Sequence, residues 1–325
     1  MESTSGPPDF GPPLPFKHDP VGGRVAHENL RYLDVARKFA EHPLAWSFRL
    51  YRAVFGLGTD ERFAKAVNRL REWVQWSVRN SRYIRCVKGD HVEETDWTWP
   101  RGEPHETDEV ARRFWIDVVE DYPGCLENRA GLDVEPGTED FSPVGRAFLS
   151  WLSGRSKPVD EEDDDDEEEI LYTPYCHCLI VDEKALVALE TLPDTIPDVK
   201  PRTSDEWDQV SEVHQNAWVW LLDRKTMKRQ EAGEPPIRAS WMKGDPDLPH
   251  FPPWCRISMA DLYELWFRLP QKTSLAYWNG AVMEGRKVAQ YGKIRYWTGN
   301  TPVMNEVIVR YNNGQAKEHA EEGSS

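Results

Sequence analysis

The sequence predicts an α+β fold, with a helical N-terminal half followed by a mixed β-sheet with packed helices. Three observations predict it. Phe63, Val67, Leu70, Val74 and Val78 recur at spacings of four, three, four and four, one apolar stripe along a helix. Residues 160–169 are ten consecutive acids, where the grammar of the chain changes. After them, Cys176–Val181 and Ala217–Leu222 are apolar runs of strand length.

The elements follow in order. Residues 1–25 are rich in Pro and Gly and read as a disordered arm. Residues 26–154 read as a mainly helical region. Its first helix begins near His27, with Tyr32, Val35, Phe39 and Ala40 on one side. A second follows Pro43, where a missing N–H costs nothing at a first helical position. Leu44, Trp46, Phe48, Leu50, Tyr51, Val54 and Phe55 surround its axis, so it is expected to be buried. Gly56 and Gly58 break it.

The third helix carries the stripe. Thr59 is its expected N-cap, and Asp60 and Glu61 suit the positive end of the helix dipole. Residues 90–106 read as a loop containing Trp97 and Trp99. Residues 107–121 fit both periods: Val110, Phe114 and Val118 a helix, and Phe114, Ile116 and Val118 a strand. The acidic first turn favours a helix at the start. Ser142-Pro143 opens a further helix, with Val144, Phe148, Trp151 and Leu152 inward.

Residues 155–171 form the acidic linker, because blocks of like charge repel themselves and stay solvated. Residues 172–311 read as a mixed α/β region. In it Asp182 caps a helix through Ala185, Leu186 and Leu189. Ala239–Lys243 reads as a third strand, and Ser258 with Asp261 opens a helix carrying Leu262, Leu265 and Trp266. Lys293–Trp297 and Val303–Tyr311 read as a hairpin, and residues 312–325 as a polar tail.

Charge is segregated within the formal net of −16. Residues 1–90 balance to +5, 91–215 to −24 and 216–325 to +3. An acidic bulk repels phosphate, so nucleic acid is not an expected partner. The longest apolar run, Ala217–Leu222, falls far short of the ~20 residues a membrane helix needs, so no membrane span is expected either. Five cysteines in 325 residues do not suggest a disulfide framework. A reducing compartment is the natural reading, the cytoplasm first and the nucleus as the alternative.

The candidate functional residues are few. Cys176 and Cys178, with His250 and Cys255, form the most zinc-like set in type. Buried thiols behaving as small hydrophobes are the more economical reading, and no metal or cofactor is expected. Asp182-Glu183 at the end of an apolar strand suggests a magnesium site, but no Gly-rich phosphate loop accompanies it and helix capping accounts for Asp182. His91, His105, His177, His214 and His250 read as ordinary exposed histidines.

Two interaction features remain. Pro12, Pro15 and Lys17 fit a polyproline ligand with a flanking cation. Arg62, Lys65 and Arg69 belong to a basic series along the third helix, read as a solvated face onto which the acidic tract docks as a latch. The expected function is a non-enzymatic protein-interaction or regulatory role with a protein partner. The alternatives are an enzyme with a composite pocket and a nucleic-acid binder through the basic helices.

Overall fold

The computed structural model describes residues 46–88, 91–92, 103–154, 176–203, 216–234, 252–268, 281–283 and 288–291, with isolated positions between. The strands are β1 (Trp46–Arg52), β2 (Val87–Lys88), β3 (His91–Val92), β4 (Phe114–Val119), β5 (His177–Val181), β6 (Trp218–Asp223), β7 (Trp254–Ser258), β8 (Ala281–Met283) and β9 (Val288–Tyr291). The helices are α1 (Thr59–Asn80), α2 (Glu106–Arg112), α3 (Ser142–Ser153), α4 (Glu183–Glu190), α5 (Arg224–Glu231) and α6 (Leu262–Arg268). The architecture is α+β. Seven strands form one mixed sheet in the order β4-β1-β5-β6-β7-β9-β8, while β2 and β3 pair apart from it. β4, β1 and β5 run parallel. β6 is antiparallel to both β5 and β7.

The segment expected as a buried helix after Pro43 is instead β1. A central parallel strand is covered on both faces and so loses the alternation that distinguishes a strand from a buried helix. Six of the seven β1 residues are buried, Arg49 being the exception. β1 sits between β4 and β5, so the mainly helical region contributes two strands to the sheet it shares with the α/β region. Residues 107–121 obey both of their periods in turn, as helix α2 and then strand β4. Residues 26–45, Ala239–Lys243, the expected hairpin and the acidic tract lie outside the described elements.

Register fixes two faces. Trp46 of β1 packs on Phe114 of β4 and on Trp266 of α6, and the Arg52 guanidinium lies over Phe63 of α1. The even positions of β1 therefore face the layer that holds α1, α2, α4 and α6. Tyr51 packs instead on Phe148 of α3, and α3 packs on α5, so the odd positions face a second helical layer. The result is a sheet between two layers of helices around one hydrophobic core.

Tryptophan serves the core twice, as apolar mass and as hydrogen-bond donor. Trp46 Nε1 donates to the Val110 carbonyl at 2.6 Å, Trp266 Nε1 to Ser47 at 2.8 Å and Trp73 Nε1 to Pro193 at 2.9 Å. These bonds tie α2, α6 and the segment after α4 to their neighbours. Among the described residues no helix is long and apolar enough to cross a membrane.

Candidate functional site

The parallel block β4-β1-β5 places three carboxyl ends at one edge of the sheet. β1 continues into α1 on one face, and β4 continues into α3 on the other. Adjacent parallel strands whose connections leave to opposite faces define a topological switch point, where open α/β sheets form a crevice. The crevice is built around Arg52, the last residue of β1. Its buried guanidinium donates to Glu120 at 2.8 Å, to Thr59 Oγ1 at 2.9 Å, to Asp60 at 2.5 Å and, through Nε, to the Val54 carbonyl at 2.8 Å. Glu120 follows β4 and Asp60 is in the first turn of α1, so one buried cation joins both walls of the switch point.

The expected cap of α1 is displaced by one residue. Gly58 is the N-cap, at φ +77°, a left-handed torsion that favours glycine. Thr59 is the first helical residue, and its hydroxyl donates to the Gly56 carbonyl at 2.9 Å. The loop Phe55–Gly58 therefore projects from the edge, with Leu57 107% exposed.

The segment from Glu120 to Phe141 is fastened without secondary structure of any length. The Tyr122 hydroxyl donates to the Arg52 carbonyl at 2.9 Å and accepts from Asn128 Nδ2 at 2.7 Å. Burial pushes the Tyr122 phenol above its ordinary range, so it is neutral and able to donate. Arg129 and Asp140 exchange backbone hydrogen bonds that close the loop's base. Lys184 of α4 donates to the Val134 carbonyl at 2.6 Å and to buried Glu139 at 2.8 Å. The loop is thus bound to β1 at one end and to α4 at the other, while Leu126 and Leu132 stand 77% and 63% exposed.

The basic residues singled out in α1 lie on one side of it. Arg62, Lys65 and Arg69 share one stripe, spaced by three and four. With Gly58, Ala66 and Glu190 they line an open groove of about 360 Å³. They are already paired: Arg62 donates twice to Glu190 and meets Glu183 at 2.8 Å, and Arg69 grips Asp194. Lys65 reaches Asp194 at 3.4 Å. The cations clamp α1 to α4 and to the segment after it, so a docking acidic tract would first have to displace these carboxylates. Glu190 is held below its usual range by the hydrogen bonds from Arg62, and Asp194 by those from Arg69.

The zinc-like cysteines do not converge. Cys178 is paired with Leu222 of β6, and Cys255 with Leu221. Partners across a ladder share a face and consecutive residues alternate, so Cys178 and Cys255 point to opposite faces of the sheet. Burial pushes the Cys178 thiol well up and the Cys176 thiol up to about 11, away from the thiolate that a metal requires. Among the described residues no group of three or more His, Cys, Asp and Glu is placed to hold a metal ion. His250, Pro12, Pro15 and Lys17 lie outside the described residues.

Two histidines depart from the exposed reading. His105 is buried and caps α2, its Nδ1 accepting from Thr107 N at 3.1 Å. His177 is buried at the start of β5 and opposes Asp223 of β6, with Nε2 3.2 Å from Oδ1, a close polar contact without the alignment of a hydrogen bond. That pairing was hidden in the sequence because it depends on cross-strand register. Asp182 does cap α4 as expected, accepting from Ala185 N at 2.8 Å.

Fold and edge together define a class: an α+β sandwich with a switch-point edge knit around a buried arginine. No family model matches the chain, and no curated protein or solved structure matches it either.

Proposed function

We propose that this chain is a non-enzymatic protein-interaction or regulatory protein, and that the carboxyl edge of β4-β1-β5 is its docking face. One observation carries the reading. The large apolar side chains left exposed among the described residues are Phe55, Leu57, Leu126, Leu132 and Val187. All of them lie on segments that leave that edge: the β1–α1 loop, the segment after β4, and α4 after β5. Scattered exposed leucines need no explanation, but a set gathered at one end of three adjacent strands has the form of a contact surface. Its support is firm, because Arg52, Tyr122 and Lys184 bind the segments to the sheet and to one another. A pre-ordered surface loses little entropy on binding.

The test is affinity purification of the intact chain from its own cells beside a Leu126→Asp/Leu132→Asp variant. Partners that are specific to the native chain and lost from the variant support the reading. Partners unchanged by the variant would remove the edge as the docking face. A partner-free chain in both arms would remove the interaction function itself.

A further inference from the structure

We infer that the carboxyl edge receives a basic amphipathic peptide segment of a partner protein; this rests on the docking reading above. Charge complementarity selects the occupant. Between residues 120 and 140 the chain carries seven carboxylates against the single cation Arg129. Of these Glu120, Glu127 and Asp133 are exposed, beside exposed Leu126 and Leu132. Across the switch point, Asp60 and Glu61 are exposed on the first turn of α1, next to Leu57. The cation at the centre, Arg52, is buried and already engaged with Glu120 and Asp60, so it offers nothing to an incoming anion. The rim is therefore negative and its raised points are apolar. A partner that buries the leucines must bring cations to the carboxylates, since like charges across an interface disfavour association. Lys and Arg around a stripe of Leu or Phe, as on an amphipathic helix, meet both requirements. Polyanions such as nucleic acid and acidic lipid surfaces are repelled by the same rim.

The experiment titrates the full chain against three fluorescein-labelled peptides of about 18 residues, written with helical spacing. One is Lys/Leu, one Glu/Leu with the same apolar face, and one Lys/Ser with the same charge and no apolar face. Hydrogen-exchange footprinting locates the bound peptide. The Lys/Leu peptide should bind at least about tenfold more tightly than either of the others, and affinity should fall as salt rises. Protection should fall on residues 53–61 and 120–135. Leu126→Ser/Leu132→Ser and Glu127→Lys/Asp133→Lys should each weaken binding about tenfold, a loss typical of disrupting an interface core or its charge match. Asp198→Lys/Asp205→Lys should not, because that exposed loop is tied by Arg202 to Asn80 at the far end of α1.

Outcomes separate the two levels. Protection at the edge by Glu/Leu as strongly as by Lys/Leu overturns the basic partner and leaves the docking face standing. Protection elsewhere, or binding untouched by both edge variants, overturns the edge for this ligand. Equal binding of Lys/Ser and Lys/Leu reduces the contact to bulk charge and overturns the amphipathic occupant.

Discussion

At the ends of β5 and β6 the chain uses the same grammar twice, and the two carboxyls end displaced in opposite directions. In each, a buried strand ends in an aspartate that caps the next helix. Asp182 accepts from Ala185 N at the start of α4, and Asp223 from Thr226 N at the start of α5. Both are buried. Burial raises Asp182, and the bond from Ala185 N, with Lys184 nearby, does not cancel it. Burial also pushes Asp223 up, but the opposed His177 and the two bonds from Thr226 outweigh it and leave Asp223 below its usual range. Capping is common to both sites. What differs is the company of the carboxyl: His177 opposes Asp223 across the ladder, whereas the groups beside Asp182 do not outweigh its burial.

Replacing Asp223 with Ala breaks this contrast most severely. The change removes a cap and leaves buried His177 without its carboxylate. Stability measured by urea denaturation should fall by about 3 kcal/mol. Replacing Asp182 with Asn keeps an acceptor for Ala185 and removes only the chance of a buried charge. At neutral pH that variant should match or exceed the native chain, the opposite sign from Asp223→Ala.

The pH dependence sharpens the same comparison. Asp223 is lower folded than unfolded, so its contribution is present above about pH 4 and lost as pH falls through the folded value. Asp223→Asn should therefore cost most at pH 5–7 and progressively less towards about pH 3. Asp182 is higher folded than unfolded, so its contribution is complete below about pH 4 and lost as pH rises through the folded value. Asp182→Asn should thus gain on the native chain from about pH 4 to pH 7. Urea midpoints for both variants across that range should diverge in opposite directions, and parallel profiles would remove the stated role of His177.

What the sequence revealed follows the range of the forces involved. The stripe of α1 and the cap at Asp182 are local, and both were legible. Phe63, Leu70, Val74 and Val78 are buried as the spacing requires. β1 reads as a helix because its covering layers come from residues far along the chain, so Trp46, Phe48, Leu50 and Tyr51 carry no period of their own. Its aromatic content, Trp46, Phe48 and Tyr51, is the strand signal it does carry. The His177–Asp223 pair and the switch-point edge were illegible for a related reason. Each exists only once strand order and register are set, and neither leaves a mark in the spacing of residues.

A smaller effect tests how the second helical layer is fitted. Gly145 of α3 lies against Met227 of α5, and a Cβ there would press on the Met227 side chain from Cγ to Cε. Gly145→Ala should cost about 1–2 kcal/mol by overpacking, somewhat offset by the better helix propensity of Ala. Met227→Ala should cost about 2–3 kcal/mol by leaving a cavity, since the side chain is fully buried. The double variant should cost less than the sum of the two, because the clash vanishes with the methionine. Strict additivity would place the origin of the Gly145 requirement outside this contact.

The smallest effect belongs to the edge itself, and smallness is the point. Leu126→Ser/Leu132→Ser removes side chains that fold against little, so stability should change by less than about 0.5 kcal/mol per site. The loop is held by other groups: Tyr122 on the Arg52 carbonyl, Lys184 on Val134, and the Arg129–Asp140 backbone pair. Tyr122→Phe removes one of these and should cost about 1 kcal/mol, more than both serines together on a per-site basis. If instead the leucine variant unfolds several degrees earlier than the native chain, Leu126 and Leu132 are packing residues. The edge then loses its claim as a surface kept apolar for contact. A native melting curve with weakened peptide binding separates the two roles in one protein, because the leucines would then matter only when a partner is present.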